Sequence, residues 1–329
     1  MKIRFFLILA LISVSVTPGL HAAFTLRDGR LVQVEEVASL PAQDHYEKGI
    51  DAWNRCDWWE AIRQFRIITT NYPRDPLACE VLFFIGAGSY YVQEYDCANY
   101  ELSEYLKHQV SPEYLEETME YKFAIAEAFR CGARRRIAGS RQLPKWLGGY
   151  NLALDIYDEV ICTLPCHELA AEALYSKGIL LDCMGDYRCS VEAFQSLVRR
   201  FPDHDLAIEA YLHIIDVHLH QAHAEPGNPD VLPLTEIALE RFEAEFPNEP
   251  RLNQARCKLQ TIKELYAYGL CETGQFFERV RCYQAAVLYY SSAVQQFPDT
   301  KVAEWARRCL CRMSNSFPCL DIPEGTFES

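Results

Sequence analysis

Beyond residue 23 the sequence has no apolar run approaching the roughly 20 residues that a membrane-spanning helix needs, so no internal span is expected. Basic charge is scarce as well. The 32 Lys and Arg residues face 46 Asp and Glu, a formal net charge of −14. Nucleic acid and anionic lipid both select basic surfaces, so neither is expected as the main partner. None of the 14 cysteines forms a CxxC pair, which leaves no support for a thioredoxin-type redox motif or a zinc ribbon. No strand-like alternation is visible past residue 40, and no heptad seam.

What is present begins with a leader. Lys2 and Arg4 precede an apolar run from Phe5 to Val16, then the breakers Pro18 and Gly19 and the small residues Ala22 and Ala23, the layout of a cleaved secretory signal over 1–23. A lipid-anchored leader would place a Cys directly after that run, and the first Cys is Cys56. The expectation is an exported, periplasmic chain that reaches a membrane only through a protein partner. Loss of Lys2 and Arg4 takes the net charge to about −16. Half the residues are hydrophobic, which excludes disorder for most of the chain. Exported thiols tend to be oxidised, so the cysteines admit two readings, structural disulfides or small apolar core residues on helices.

The chain is punctuated by an apolar or aromatic residue before Pro: Tyr72-Pro73, Leu164-Pro165, Phe201-Pro202, Phe246-Pro247 and Phe297-Pro298. Pro cannot continue a helix, so each pair marks a helix end. Upstream lie amphipathic segments, such as Ala61, Phe65 and Ile68, at spacings of three and four. Gly49, Gly86, Gly178 and Gly274 fall midway along the preceding helices, and three of them stand 24 residues before the Pro. A helical Gly costs about 1 kcal/mol relative to Ala, so its return in one register needs a packing reason. That reason is close approach of two antiparallel helices, with Ala61, Ala98, Ala153 and Ala286 expected opposite the glycines. The pattern is the tetratricopeptide signature, a helix–turn–helix of about 34 residues.

The expected fold is therefore all-α, a tetratricopeptide-like helical-hairpin solenoid. Six hairpins are expected, at 42–73, 78–110, 116–165, 169–202, 205–247 and 252–298, with a capping helix at 300–315. Loops interrupt the third at Arg134–Gly149 and the fifth at Ala222–Pro233. The organisation reads as leader 1–23, an extended or mobile segment 24–41, the solenoid 42–315 and a tail 316–329.

The last hairpin is more specific. Glu272-Thr273-Gly274-Gln275-Phe276-Phe277-Glu278-Arg279, then Tyr283-Gln284-Ala285-Ala286 and Phe297-Pro298-Asp299-Thr300, resembles the closing repeat of the BamD family, outer-membrane lipoproteins that help assemble β-barrel proteins. Gly49, Trp58, Ala61, Phe65, Tyr72-Pro73, Tyr90-Tyr91 and Asp96 look similar to its opening repeats. The resemblance covers most of residues 42–310, and Tyr289 stands where the family commonly carries Arg. It implies a scaffold whose partners are outer-membrane assembly machinery or unfolded outer-membrane protein segments, with Arg279, Tyr283 and Tyr289 in the docking region. A periplasmic adaptor for peptidoglycan or other envelope processes is the alternative.

Catalysis finds no support in the sequence, and no cofactor is implied. His213, His218, His220 and His223 crowd one segment, but their spacings of five, two and three let only His220 and His223 share a face, so a solvated helix is expected rather than a metal site. Gly86-Ala87-Gly88-Ser89 lacks the strand and Lys of a phosphate loop. Arg134, Arg135, Arg136, Arg141, Lys145 and Trp146 form the one basic patch, either a solvated loop or a grip for an acidic partner or lipid head groups. Trp53, Trp58, Tyr90 and Tyr91 concentrate aromatics in the first two hairpins. Most are expected in the core, with any surplus lining a groove that holds an extended peptide. The partner-contact candidates are thus Trp53, Trp58, Tyr90, Tyr91, Arg135, Arg136, Arg279, Tyr283 and Tyr289.

Overall fold

The structure, a computed structural model, describes residues 24–27, 30–33, 37–109, 111–136 and 144–316. The expected leader, and the tail beyond Ser316, lie outside the described residues. Thirteen α-helices and two antiparallel ribbons make up the described chain, and contacts divide it into two units, Met1–Gly149 and Tyr150–Ser329. No described helix is long and apolar enough to cross a membrane.

The first unit opens on a ribbon, β1 (Phe24–Arg27) against β2 (Arg30–Gln33), within the segment expected to be extended. Then come α1 (Ala42–Asn54), α2 (Trp58–Asn71), α3 (Pro76–Tyr91), α4 (Tyr95–His108) and α5 (Leu115–Arg130), and the strands β3 (Arg134–Arg136) and β4 (Lys145–Gly148). The second unit holds α6 (Tyr150–Thr163), α7 (Glu168–Met184), α8 (Tyr187–Arg200), α9 (Leu206–Ala224), α10 (Val231–Glu245), α11 (Leu252–Arg279), α12 (Tyr283–Gln296) and α13 (Lys301–Ser316). The last is the expected capping helix, packed on α12 and α11. In each unit consecutive helices pack as antiparallel neighbours, and the chain is an all-α array of helical hairpins.

Four hairpins share one register. Seven residues after Gly49, Gly86, Gly178 and Gly274 the chain turns through a left-handed residue: Cys56 (φ 60°), Gln93 (60°), Gly185 (80°) and Arg281 (63°). That conformation lets the next amide reach the carbonyl five residues back. Asp57 donates to Ala52, Glu94 to Ser89, Asp186 to Leu181 and Cys282 to Phe277, all at 2.8–3.0 Å, which closes the first helix in the manner of a Schellman turn. Asp57 and Asp186 then cap the second helix by accepting from the amides of Glu60 and Cys189.

The glycines meet a different partner from the one expected. A Cβ at Gly178 would lie 2.6 Å from the Phe194 ring, one at Gly86 2.6 Å from Leu102 and one at Gly274 2.8 Å from Tyr290, while Gly49 faces Phe65 in the same way. The opposing group is thus a large side chain one helical turn beyond the small residue, which is Ala61, Ala98, Ser190 or Ala286 and is buried each time. The small residue brings the helices together, and the large one then lies flat on the glycine backbone. Ser190 uses the same proximity, donating its hydroxyl to the Gly178 carbonyl at 2.8 Å.

Three further expectations are corrected. The stretch 134–149 is not simply a loop, because β3 pairs with β4. Three consecutive arginines show no alternation, so periodicity had nothing to register there. Helices α5 and α6, expected as one hairpin, fall in different units. Helix α9 runs on to Ala224, and Pro233 lies in the first turn of α10, where its missing N–H is not needed. Finally, of the 13 described cysteines, none bonded to another, only Cys271 and Cys309 are buried. The rest sit largely at helix ends and on solvated faces rather than at small apolar core positions.

Candidate protein-binding surfaces

Aromatic side chains from four helices meet in the first unit. Trp58, at the start of α2, stacks on Tyr91, at the end of α3, with centroids 4.3 Å apart and planes 14° from parallel. Trp53 of α1 sets its edge against Trp58 at 5.0 Å and against Phe84 at 5.4 Å. The Tyr91 hydroxyl lies 3.2 Å from that of Tyr121 on α5, and the Tyr90 ring 5.6 Å from the Tyr121 ring. Burial, with Tyr91 second, raises the Tyr121 hydroxyl above its ordinary pKa, so it stays an uncharged hydrogen-bonding group. Four sequence candidates, Trp53, Trp58, Tyr90 and Tyr91, thus form one cluster. Trp53, Trp58 and Tyr90 are half-buried, but Tyr91 is 46% exposed and the adjacent Trp59 56%. The cluster is anchored from below and open above.

Arg135 and Arg136 serve another purpose. The Arg135 Nε donates to Asp96 at 3.0 Å, and the Arg136 backbone amide to the same carboxylate at 2.6 Å. The Arg136 guanidinium grips Glu94 through Nε at 2.8 Å and Nη2 at 2.6 Å, and Lys145 adds a contact to Glu94 at 3.4 Å. Arg136 foremost, with Lys145, holds the Glu94 carboxyl below its usual pKa. These charges clamp the β3–β4 ribbon onto the start of α4, which leaves Trp146 standing out, 69% exposed. Glu94→Gln should free the ribbon at a cost of about 1–3 kcal/mol, because a mostly buried ion pair loses one partner. Faster amide exchange at Arg134–Arg136 would report it. The depressed carboxyl makes the clamp strongest above the ordinary Glu range near pH 4.5, and the clamp weakens as pH falls through the lower folded value. Unchanged exchange in the variant would mean that the ribbon is held by something else.

In the second unit, Arg279 is exposed at the end of α11 and borders a cavity of about 430 Å3 with Tyr290, Trp305 and Arg312. The other two candidates are not brought to that cavity. Tyr289 stacks on Phe277 at 5.4 Å, and Tyr283 packs against the core of α11–α13. A larger cleft, about 1160 Å3, runs between α8 and α10 over α9. Leu234 and Ile237 stand half-exposed on its α10 wall, and His218 lies in its floor.

The fold is tetratricopeptide-like. Neither a family model nor a curated protein matches the chain. Among solved structures it is similar to the MamA protein, at 17% identity over 64% of this chain and 95% of that one, with a TM-score of 0.37. It is also similar to a tetratricopeptide repeat protein from Parabacteroides merdae ATCC 43184, at 14% over 82% and 97%, with a TM-score of 0.37. The apo form of RapI matches at 14% over 83% and 100%, with a TM-score of 0.36. At these scores the likeness carries no assignment, which stands on the hairpin register alone.

On the tetratricopeptide hairpins the expected solvated helix holds for His220 and His223, which are exposed, and fails for His213 and His218. His213 stacks on Phe194 at 5.6 Å, His218 is buried, and the His220 Nδ1 lies 2.9 Å from Asp182 on α7. Among the described residues no three metal-ligating side chains converge. The cleft on α10 escaped the sequence reading, although it left a trace. Val231, Ala238, Leu239 and Phe242 already supply the core face of that helix, so Leu234 and Ile237 are apolar residues in surplus.

Proposed function

We propose that this chain is an exported protein-binding scaffold that works in the periplasm in outer-membrane β-barrel assembly, receiving unfolded barrel segments on its first unit. The observation that carries the reading is the anchored aromatic cluster, where Trp58 and Tyr91 stack on a supported base and Tyr91 and Trp59 remain open to solvent. Rigid, half-buried aromatics lose little side-chain freedom on binding and dominate the energetics of protein interfaces. The resemblance of 272–300 to the BamD closing repeat supports the barrel-assembly context, and the acidic balance favours a protein partner.

A synthetic peptide taken from a terminal strand of an outer-membrane barrel protein tests this by calorimetry. Tyr91→Ala should weaken its binding by about tenfold or more, the effect of removing an interface aromatic. Trp58→Phe, which keeps the stack, should weaken it less. A peptide that fails to bind the wild-type protein, or binds Tyr91→Ala equally well, sinks the reading. In-cell cross-linking that recovers peptidoglycan enzymes instead of assembly machinery would move the protein to the envelope-adaptor class.

A further inference from the structure

The cleft of the second unit is open where its counterpart in the first unit is stitched. Between α2 and α4, the second helices of adjacent hairpins, Arg66 and Glu101 form an ion pair at 3.7 Å with both side chains under a fifth exposed. Between α8 and α10 no ion pair crosses among the described residues. Each helix packs on α9, and the space of about 1160 Å3 remains. Both walls are helices of about four turns, and a trough between two helices over a third has the form that a fourth helix fills, at interaxial distances of about 8–10 Å.

The wall chemistry narrows the occupant. Leu234, 50% exposed, and Ile237, 45%, follow one another at helical spacing on α10, with Val191 facing from α8. Arg199 on α8 and Arg241 on α10 flank this strip, and neither has a carboxylate partner among the described residues. Of the acids that line the cleft, Glu192 receives Arg188 at 3.0 Å, while Asp203, Asp230 and Glu245 form no ion pair among the described residues. In the floor, the Nδ1 of buried His218 has no hydrogen-bond partner. We propose that this cleft docks an amphipathic helix of a partner protein, its apolar stripe on Leu234 and Ile237 and a carboxylate directed to Arg199 and Arg241. The site is separate from the aromatic cluster and does not depend on that reading.

The test places a benzoylphenylalanine cross-linker in cells at position 234 or 237, with position 59 as reporter for the aromatic surface, and sequences the captured peptide. The expected capture at 234 and 237 is one segment with apolar residues at intervals of three and four and an acidic residue on the same face. Its synthetic peptide should gain helical circular dichroism on titration into the full-length protein. Leu234→Glu should weaken that binding by about tenfold or more, and Arg241→Glu should weaken it until the peptide's acid is exchanged for Arg. Both residues are exposed, so the variants fold. Capture at 59 alone, capture of a second copy of this chain, or a segment that binds without gaining helicity would each overturn the proposal. Capture at 234 and 237 with none at 59 would instead overturn the barrel-segment surface and leave this one standing.

Discussion

Phe194→Ala should lower the free energy of unfolding by about 3–5 kcal/mol, the cost of emptying a fully buried aromatic site. The ring is central to the second unit. It lies on the Gly178 backbone, meets Tyr175 edge-on at 5.8 Å and stacks under His213 at 5.6 Å, so three helices lose contact at once. The paired variant tests the register itself. Ala outranks Gly by about 1 kcal/mol in a helix interior, so Gly178→Ala should stabilise if local propensity decided. A Cβ 2.6 Å from the ring must instead displace it, and overpacking costs about 1–3 kcal/mol, so net destabilisation is expected. In the double variant the new methyl enters the space left by the ring, and the loss should fall well short of the sum. Urea denaturation followed by far-ultraviolet circular dichroism measures all three. Simple additivity would mean that the glycine and the ring do not compete for one volume.

His218 should make the protein lose about 3 kcal/mol between pH 6.5 and pH 4. Burial in the cleft floor lowers its pKa from 6.5 to about 4, so the folded state keeps the imidazole neutral. Through that interval the unfolded chain binds a proton that the folded chain refuses, and stability falls as pH falls. Below about pH 4 both states are protonated and the loss stops growing. His218→Leu removes the titration but fills the site. Acidic groups such as Glu94 titrate in both proteins, so the difference between the two stability profiles isolates the histidine. Parallel profiles from pH 7 to pH 4 would show that the imidazole is protonated in the folded state after all.

Much of the candidate surface was legible as composition but not as arrangement. Trp53, Trp58, Tyr90 and Tyr91 stood out by crowding the first two hairpins. That Tyr121 would join them from α5 was not written in any spacing, because its contact lies 30 residues from Tyr91. Arg135 and Arg136 read as free positive charge, since their partners Asp96 and Glu94 lie about 40 residues back at the start of α4. Arg279, Tyr283 and Tyr289 were named by resemblance alone, and the fold brings only Arg279 to a cavity.

By itself the sequence determined the helices, most of their ends and the repeat of four hairpins. Apolar spacing of three and four, proline after each second helix and glycine in one register act within a few residues, through backbone geometry and helix periodicity. Only the tertiary structure decided that a ring rather than an alanine covers each helix glycine at 49, 178 and 274, that three arginines form a strand with 145–148, and that α8 and α10 stand apart. Those outcomes depend on how closely two helices approach, and that distance is set by every side chain in the interface together.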